Sequence, residues 1–207
     1  MRAVDRYAGI KALGRPVVTT GEAAVAWDTS LPVAAKSLAR LATSGLVAKI
    51  RHGIWQIGTE APDPAVVLLV LTNPYPSYIS GWSAMARHGM IEQIPRGVFA
   101  VSLDRARTIE TPVDRYEIHH IHPNLFGGFV GGSGIQAAVA TPEKAIFDTV
   151  YLFSARSGQV TLPEIELPDG FNINDVRRWV DAVPSARLRT MTANGLAGIV
   201  EPGTQAA

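Results

Sequence analysis

Apolar residues recur at helical spacing in residues 3–13 (Ala3, Val4, Tyr7, Ala8 and Ile10), and Gly14-Arg15-Pro16 stops the pattern. The next stretch carries its own punctuation. Thr19 followed three residues later by Glu22 has capping-box spacing, which predicts a short helix over 21–27. Asp28-Thr29-Ser30 supplies turn formers and an N-cap, Pro32 sits in a first helical turn, and Gly45 supplies a left-handed stop, so a longer helix is predicted up to about residue 44. At helical spacing Ala34, Leu38 and Leu41 share one face, flanked by Ala35 and Ala42, while Val33, Lys36, Ser37, Arg40, Thr43 and Ser44 occupy the other. Residues 46–51 and 54–57 are β-prone runs separated by His52-Gly53, which suits a tight hairpin.

Past residue 58 the periodicity lapses in Gly58-Thr59-Glu60-Ala61-Pro62-Asp63-Pro64, so a domain boundary is placed there: 1–60 before it and 61–207 after it. Residues 64–71 form an apolar run read as a buried helix. A short helix over 82–88 is closed by Gly89, and residues 98–103, 116–121 and 135–140 read as strands. Thr141-Pro142-Glu143 opens a helix whose stripe of Ala145, Ile146, Thr149, Val150 and Phe153 is expected to pack on the sheet. Residues 162–171 are a loop or short strand, and 172–183 and 185–196 are two closing helices separated by Pro184. The fold class expected is α+β: an N-terminal winged helix-turn-helix followed by a mixed α/β C-terminal domain.

That arrangement points to nucleic acid. The major groove admits one helix, where Arg or Lys donates to guanine and Ser or Thr serves either partner. Lys36, Ser37, Arg40 and Thr43 are the expected base-reading residues, with Lys49, Arg51 and His52 on the hairpin as phosphate contacts. Charge agrees with this division. The net charge of +1 conceals eight Lys/Arg against four Asp/Glu in residues 1–60 and eleven against fourteen in the remainder. Zero cysteines exclude disulfides, Cys-bearing zinc sites and a thiol nucleophile. The N-terminal residues lack the continuous apolar core of a signal peptide, and the apolar run 65–71 is too short to span a bilayer, so a cytoplasmic protein without membrane contact is expected.

The N-terminal pattern, the segment Tyr78-Ile79-Ser80-Gly81-Trp82-Ser83-Ala84-Met85-Ala86-Arg87-His88-Gly89-Met90 and the later Thr141-Pro142-Glu143-Lys144-Ala145-Ile146-Phe147-Asp148 together resemble the AbiEi family of abortive-infection antitoxins. These are mycobacterial and other bacterial proteins encoded beside a nucleotidyltransferase-like toxin. The resemblance spans about residues 15–155. It implies a winged-helix domain that represses its own operon by binding promoter DNA, joined to a mixed α/β domain that neutralises the cognate toxin. Symmetric promoter repeats would carry two copies.

Other features are weighed against plainer roles. His120 and His122 of a strand point one way and His119 the other, so a polar strand face is preferred to a metal site. The glycine-rich stretch 127–134 lacks the Lys-Ser/Thr ending of a P-loop and is read as a turn. Lys144 and Asp148, four apart on one helix, are read as a plain ion pair worth a few tenths of a kcal/mol. The glycines and these charges motivate an alternative in which the second domain acts enzymatically, by covalent modification of the toxin, for example phosphoryl transfer. A plain winged-helix repressor is another. Trp27, Trp55 and Trp82 are assigned to cores, and Trp179, beside Arg177 and Arg178, to toxin contact. No cofactor is expected.

Overall fold

The computed structural model describes residues 2–132, 134–156 and 164–200, and the chain is α+β. It divides into two compact units, Met1–Asn73 with Glu110–Asp114, and Pro74–Ile109 with Arg115–Ala207. The division therefore falls after Asn73 and not after residue 60. The proline-rich segment at 62–64 does not end the first unit; it caps one more helix of it.

In the first unit, α1 (Ala3–Lys11), β1 (Val17–Thr19), α2 (Thr20–Ala26), α3 (Leu31–Thr43), β2 (Val47–Arg51), β3 (Ile54–Ile57) and α4 (Pro64–Thr72) follow in order. Thr19 ends β1 and caps α2: its hydroxyl accepts from the Glu22 N–H at 3.1 Å, and the Glu22 carboxylate accepts from the Thr19 N–H at 2.7 Å. β1 was not anticipated, because three residues are too few to show alternation. It pairs antiparallel with β3, and β2 pairs with the other edge of β3, giving the order β1-β3-β2. The register slips between Lys49 and Arg51, and Ile50 at the slip is buried.

Ser30 occupies the N-cap position of α3 with extended backbone, yet its side chain makes no capping bond. Pro32 stands at the second helical position and has no N–H to donate, which removes one of the two usual partners of an N-cap oxygen. Gly45 ends the helix region with a left-handed φ of 71°. Ala34, Leu38 and Leu41 pack with Ile10, Val18, Trp27, Val47 and Trp55 into one core. Both tryptophans satisfy their indole N–H: Trp27 donates to the Arg6 carbonyl at 2.9 Å and Trp55 to the Thr20 hydroxyl at 3.0 Å. Ala35, placed beside the packed face from the sequence, is exposed.

The second unit holds β4 (Ser77–Ile79), α5 (Gly81–Arg87), β5 (Val98–Ser102), β6 (Arg107–Glu110) except its last residue, which counts with the first unit, β7 (Arg115–His120), β8 (Phe129–Val130), β9 (Ala138–Ala140), α6 (Pro142–Arg156), α7 (Ile173–Asp181) and α8 (Ala186–Val200). Its mixed sheet has the order β6-β7-β5-β4-β9-β8, with β5 parallel to β7 and β4 parallel to β9. The unforeseen β6 and β8 are short edge strands, where little burial is needed and no alternation accumulates. Residues 164–171 form no regular element, and 162–163 lie outside the described residues.

α6 departs most from expectation. One apolar stripe was to meet the sheet, but α6 packs against α5, α7, α8 and β9, so its buried surface extends well past that stripe. Lys144, Ala145, Ile146, Phe147, Asp148, Thr149 and Val150 are all fully buried. Among the described residues no helix is long and apolar enough to cross a membrane.

The capping box yields a direct expectation. Thr19→Ala removes one cap acceptor and should lower the unfolding free energy by about 1 kcal/mol in urea titration monitored by tryptophan fluorescence.

Candidate functional site

Two groups of polar residues contrast. The first lies on the surface of the N-terminal unit. Lys36, Arg40 and Thr43 follow at helical spacing on α3, all three exposed, and among the described residues neither cation is held in an ion pair or hydrogen bond. The Thr43 hydroxyl donates to the Ala39 carbonyl at 3.1 Å, a bond that leaves its oxygen lone pairs facing solvent. α3 packs against β2, and the β2–β3 hairpin adds exposed Lys49, Arg51 and His52. Lys49 carries its ammonium 6.0 Å from the centre of the Trp55 ring, so that aromatic positions it.

Ser37, expected among these residues, is not on this face. It is 3% exposed, donates to the Val33 carbonyl at 2.6 Å and accepts from the guanidinium of Arg6 on α1. Its direction lies nearer the Ala34–Leu38–Leu41 stripe than the Lys36–Arg40 face, so α1 covers it. Ser37 ties α1 to α3 and is removed from the base-reading set.

The second group is hidden in the C-terminal unit. Lys144 and Asp148, one turn apart on α6, form an ion pair with no solvent exposure on either side chain. The plain ion pair expected from their spacing is formed, but α7 and the glycine segment before β9 cover it, so it is not the weak solvated pair that a few tenths of a kcal/mol describes. Tyr78, buried in β4, donates its hydroxyl to Asp148 at 2.9 Å, and Ser80, directly after β4, donates to the same oxygen at 2.7 Å. The Lys144 ammonium lies 5.6, 4.9 and 4.6 Å from the ring centres of Tyr78, Phe147 and Trp179. Burial pushes the Asp148 carboxyl up and the Lys144 ammonium down, and the attraction between them opposes both shifts. Burial and the Asp148 charge hold the Tyr78 phenol far above its ordinary range, so it remains a donor.

Tyr78 and Ser80 were missed as partners of this pair. The available signal was their spacing of two in an extended segment, which sends both side chains to one side.

Gly128 explains part of the glycine stretch. Its φ is 69°, and a Cβ there would meet the Trp179 ring at 2.7 Å and the Lys144 side chain at 3.0 Å. It is a close-approach residue that seals the pair; a phosphate cradle is not formed over Lys144, and no reactant can reach the pair while the seal holds. Trp179, expected to face a partner, is half-buried with its ring over Lys144 and against Phe147, 6.0 Å between centres. Its neighbours remain at the surface: Arg178 pairs with Asp175, and Arg177 donates to Asn174 at 3.4 Å.

The histidines occupy three unlike settings. His119 is buried and stacked 4.1 Å from Phe99, the His120 Nδ1 lies 3.1 Å from the Asp104 carbonyl oxygen, and the His122 Nδ1 accepts from the Asn124 N–H at 3.2 Å. Among the described residues no group of three or more His, Cys, Asp or Glu side chains is placed to hold a metal ion. A cleft of about 530 Å³ opens beside Trp82, Ile94, Arg96 and Glu117, and a second of about 500 Å³ beside Glu92, Glu164 and Glu166.

No protein-family model and no curated protein matches the chain. Among solved structures, the antibiotic-resistance factor ANT(2'')-Ia in solution aligns with 67% of this chain and 91% of its own, at 11% identity and a TM-score of 0.32. Crystalline ANT(2'')-Ia in complex with adenylyl-2''-tobramycin aligns with 65% of this chain and 95% of its own, at 12% identity and a TM-score of 0.30. Scores this low carry neither fold nor chemistry across.

Losing one partner of a buried pair leaves an uncompensated charge, so Lys144→Met should cost about 3 to 5 kcal/mol at neutral pH in urea unfolding. Adding Asp148→Asn should recover part of that loss, because the buried charge is then removed. The pH dependence has a definite sign. With its folded pKa above the unfolded value of about 4, the lone Asp148 is tolerated as the neutral acid, so the Lys144→Met deficit is smallest below that pH and grows as pH rises through the folded pKa.

Proposed function

We propose that the first unit is a winged helix-turn-helix and that the chain is a DNA-binding antitoxin. α3 is the recognition helix, the β2–β3 hairpin is the wing, and the unit represses its own operon by binding promoter DNA. The observation that carries this reading is the exposed Lys36–Arg40–Thr43 face of α3, followed in the chain by the basic hairpin of Lys49, Arg51 and His52. A helix that presents free donors fits base edges in the major groove, and a hairpin rich in cations fits the flanking phosphates.

The second unit is proposed to neutralise a nucleotidyltransferase-like toxin. Support for this half comes from the AbiEi-like segments 78–90 and 141–148. Their side chains meet in one core, where Tyr78 and Ser80 donate to Asp148 and Lys144 pairs with it, and the His88 Nε2 lies 2.7 Å from the backbone carbonyl oxygen of Ala140, just before the second segment. That core positions the unit's surface, and the exposed Arg177 and Arg178 remain the proposed toxin contacts.

Arg40→Ala should weaken binding to the DNA upstream of the reading frame by about 1 to 3 kcal/mol and relax base preference, whereas Lys49→Ala should weaken all sequences alike and flatten the salt dependence. Gel shifts at several salt concentrations measure both effects, and unchanged affinity in both variants removes these assignments. For the antitoxin half, co-expression with an adjacent nucleotidyltransferase-like reading frame should restore growth, and Arg177→Ala/Arg178→Ala should weaken the rescue.

A further inference from the structure

Lys36 and Arg40 account for only part of the exposed face of α3. Its N-terminal half presents Leu31, Pro32, Val33 and Ala35 to solvent, with Leu31 58% and Val33 43% exposed. Val33, Lys36 and Arg40 follow at i, i+3 and i+7, which puts the valine on the same face as the two cations. In a helix-turn-helix the N-terminal part of the recognition helix is the part that meets base edges. An aliphatic side chain offers those edges neither donor nor acceptor. The one apolar group it can meet in the major groove is the C5-methyl of thymine.

We infer that Val33 on α3 is a specificity-determining residue that packs on a thymine methyl, one turn ahead of the bases read by Lys36 and Arg40. The inference rests on the DNA-binding reading above. The two cations on its own face, Lys36 and Arg40, and the further exposed cations Lys49 and Arg51 of the same unit favour a polyanion as the occupant of this apolar face over a second protein surface. Burial against a methyl also removes from water a valine that the fold leaves uncovered.

The test uses the full chain in gel shifts against the DNA upstream of its reading frame, amplified once with dTTP and once with dUTP. The two products differ in the thymine C5-methyl groups. Affinity for the uracil form should be lower by about fourfold for each contacted methyl, the transfer value of one buried methyl written as a ratio. Val33→Ala should narrow the difference between the two DNAs while leaving the slope of affinity against salt unchanged, since that slope reports phosphates. Equal affinity for both DNAs, or a difference that survives Val33→Ala intact, overturns the methyl contact while DNA binding stands. Absence of binding to either DNA overturns the DNA-binding reading and this inference with it.

Discussion

Lys144 and Asp148 sit face to face inside the second unit, and the arrangement around them holds only if several elements keep their places at once. A buried ion pair gains little over an apolar pair of the same shape, because desolvation offsets the attraction. What it demands is completeness. Asp148 receives two hydroxyls, from Tyr78 in β4 and from Ser80 just after it, and Lys144 is enclosed by the rings of Tyr78, Phe147 and Trp179. Gly128 closes the remaining gap, where any larger residue would collide with Trp179. Displacing β4, α6, α7 or the glycine segment would leave a polar group unpaired in a dry environment. The pair therefore specifies a geometry more than it adds stability.

The two units use polar residues in opposite ways. In the first, the core is almost wholly apolar, and the Ser37–Arg6 contact is a small exception linking two helices. Lys36, Arg40, Lys49 and Arg51 lie outside, and the core is complete without them. In the second, the charges that stand out in the sequence are internal and already satisfied. Tyr78, Ser80, Lys144 and Asp148 are thus explained as architecture.

This contrast bears on how sequence signals are read. Lys144 and Asp148 invite a catalytic reading because they are charged, closely spaced and near glycines. Enclosure by α7 and the glycine segment removes them from any reactant and turns them into a folding constraint. The same enclosure takes Trp179 from a candidate partner contact to a lid on Lys144.

Local order was readable in the residues. The Thr19–Glu22 cap, Pro32, Gly45, the His52-Gly53 turn and the Thr141-Pro142-Glu143 start each act within a few positions, so α2, α3, the β2–β3 hairpin and the start of α6 follow from the chain alone. The three-residue β1, whose partner β3 lies far along the chain, left no such trace, and neither did β6 and β8, which are edge strands too short for alternation to accumulate. The side chosen by Ser37, the concealment of Lys144 and Asp148, and the role of Trp179 were settled by tertiary packing. Periodicity tells which residues of a helix share a face; it does not tell how many neighbours cover that helix, and burial, which sets the cost and meaning of a charge, depends on that number.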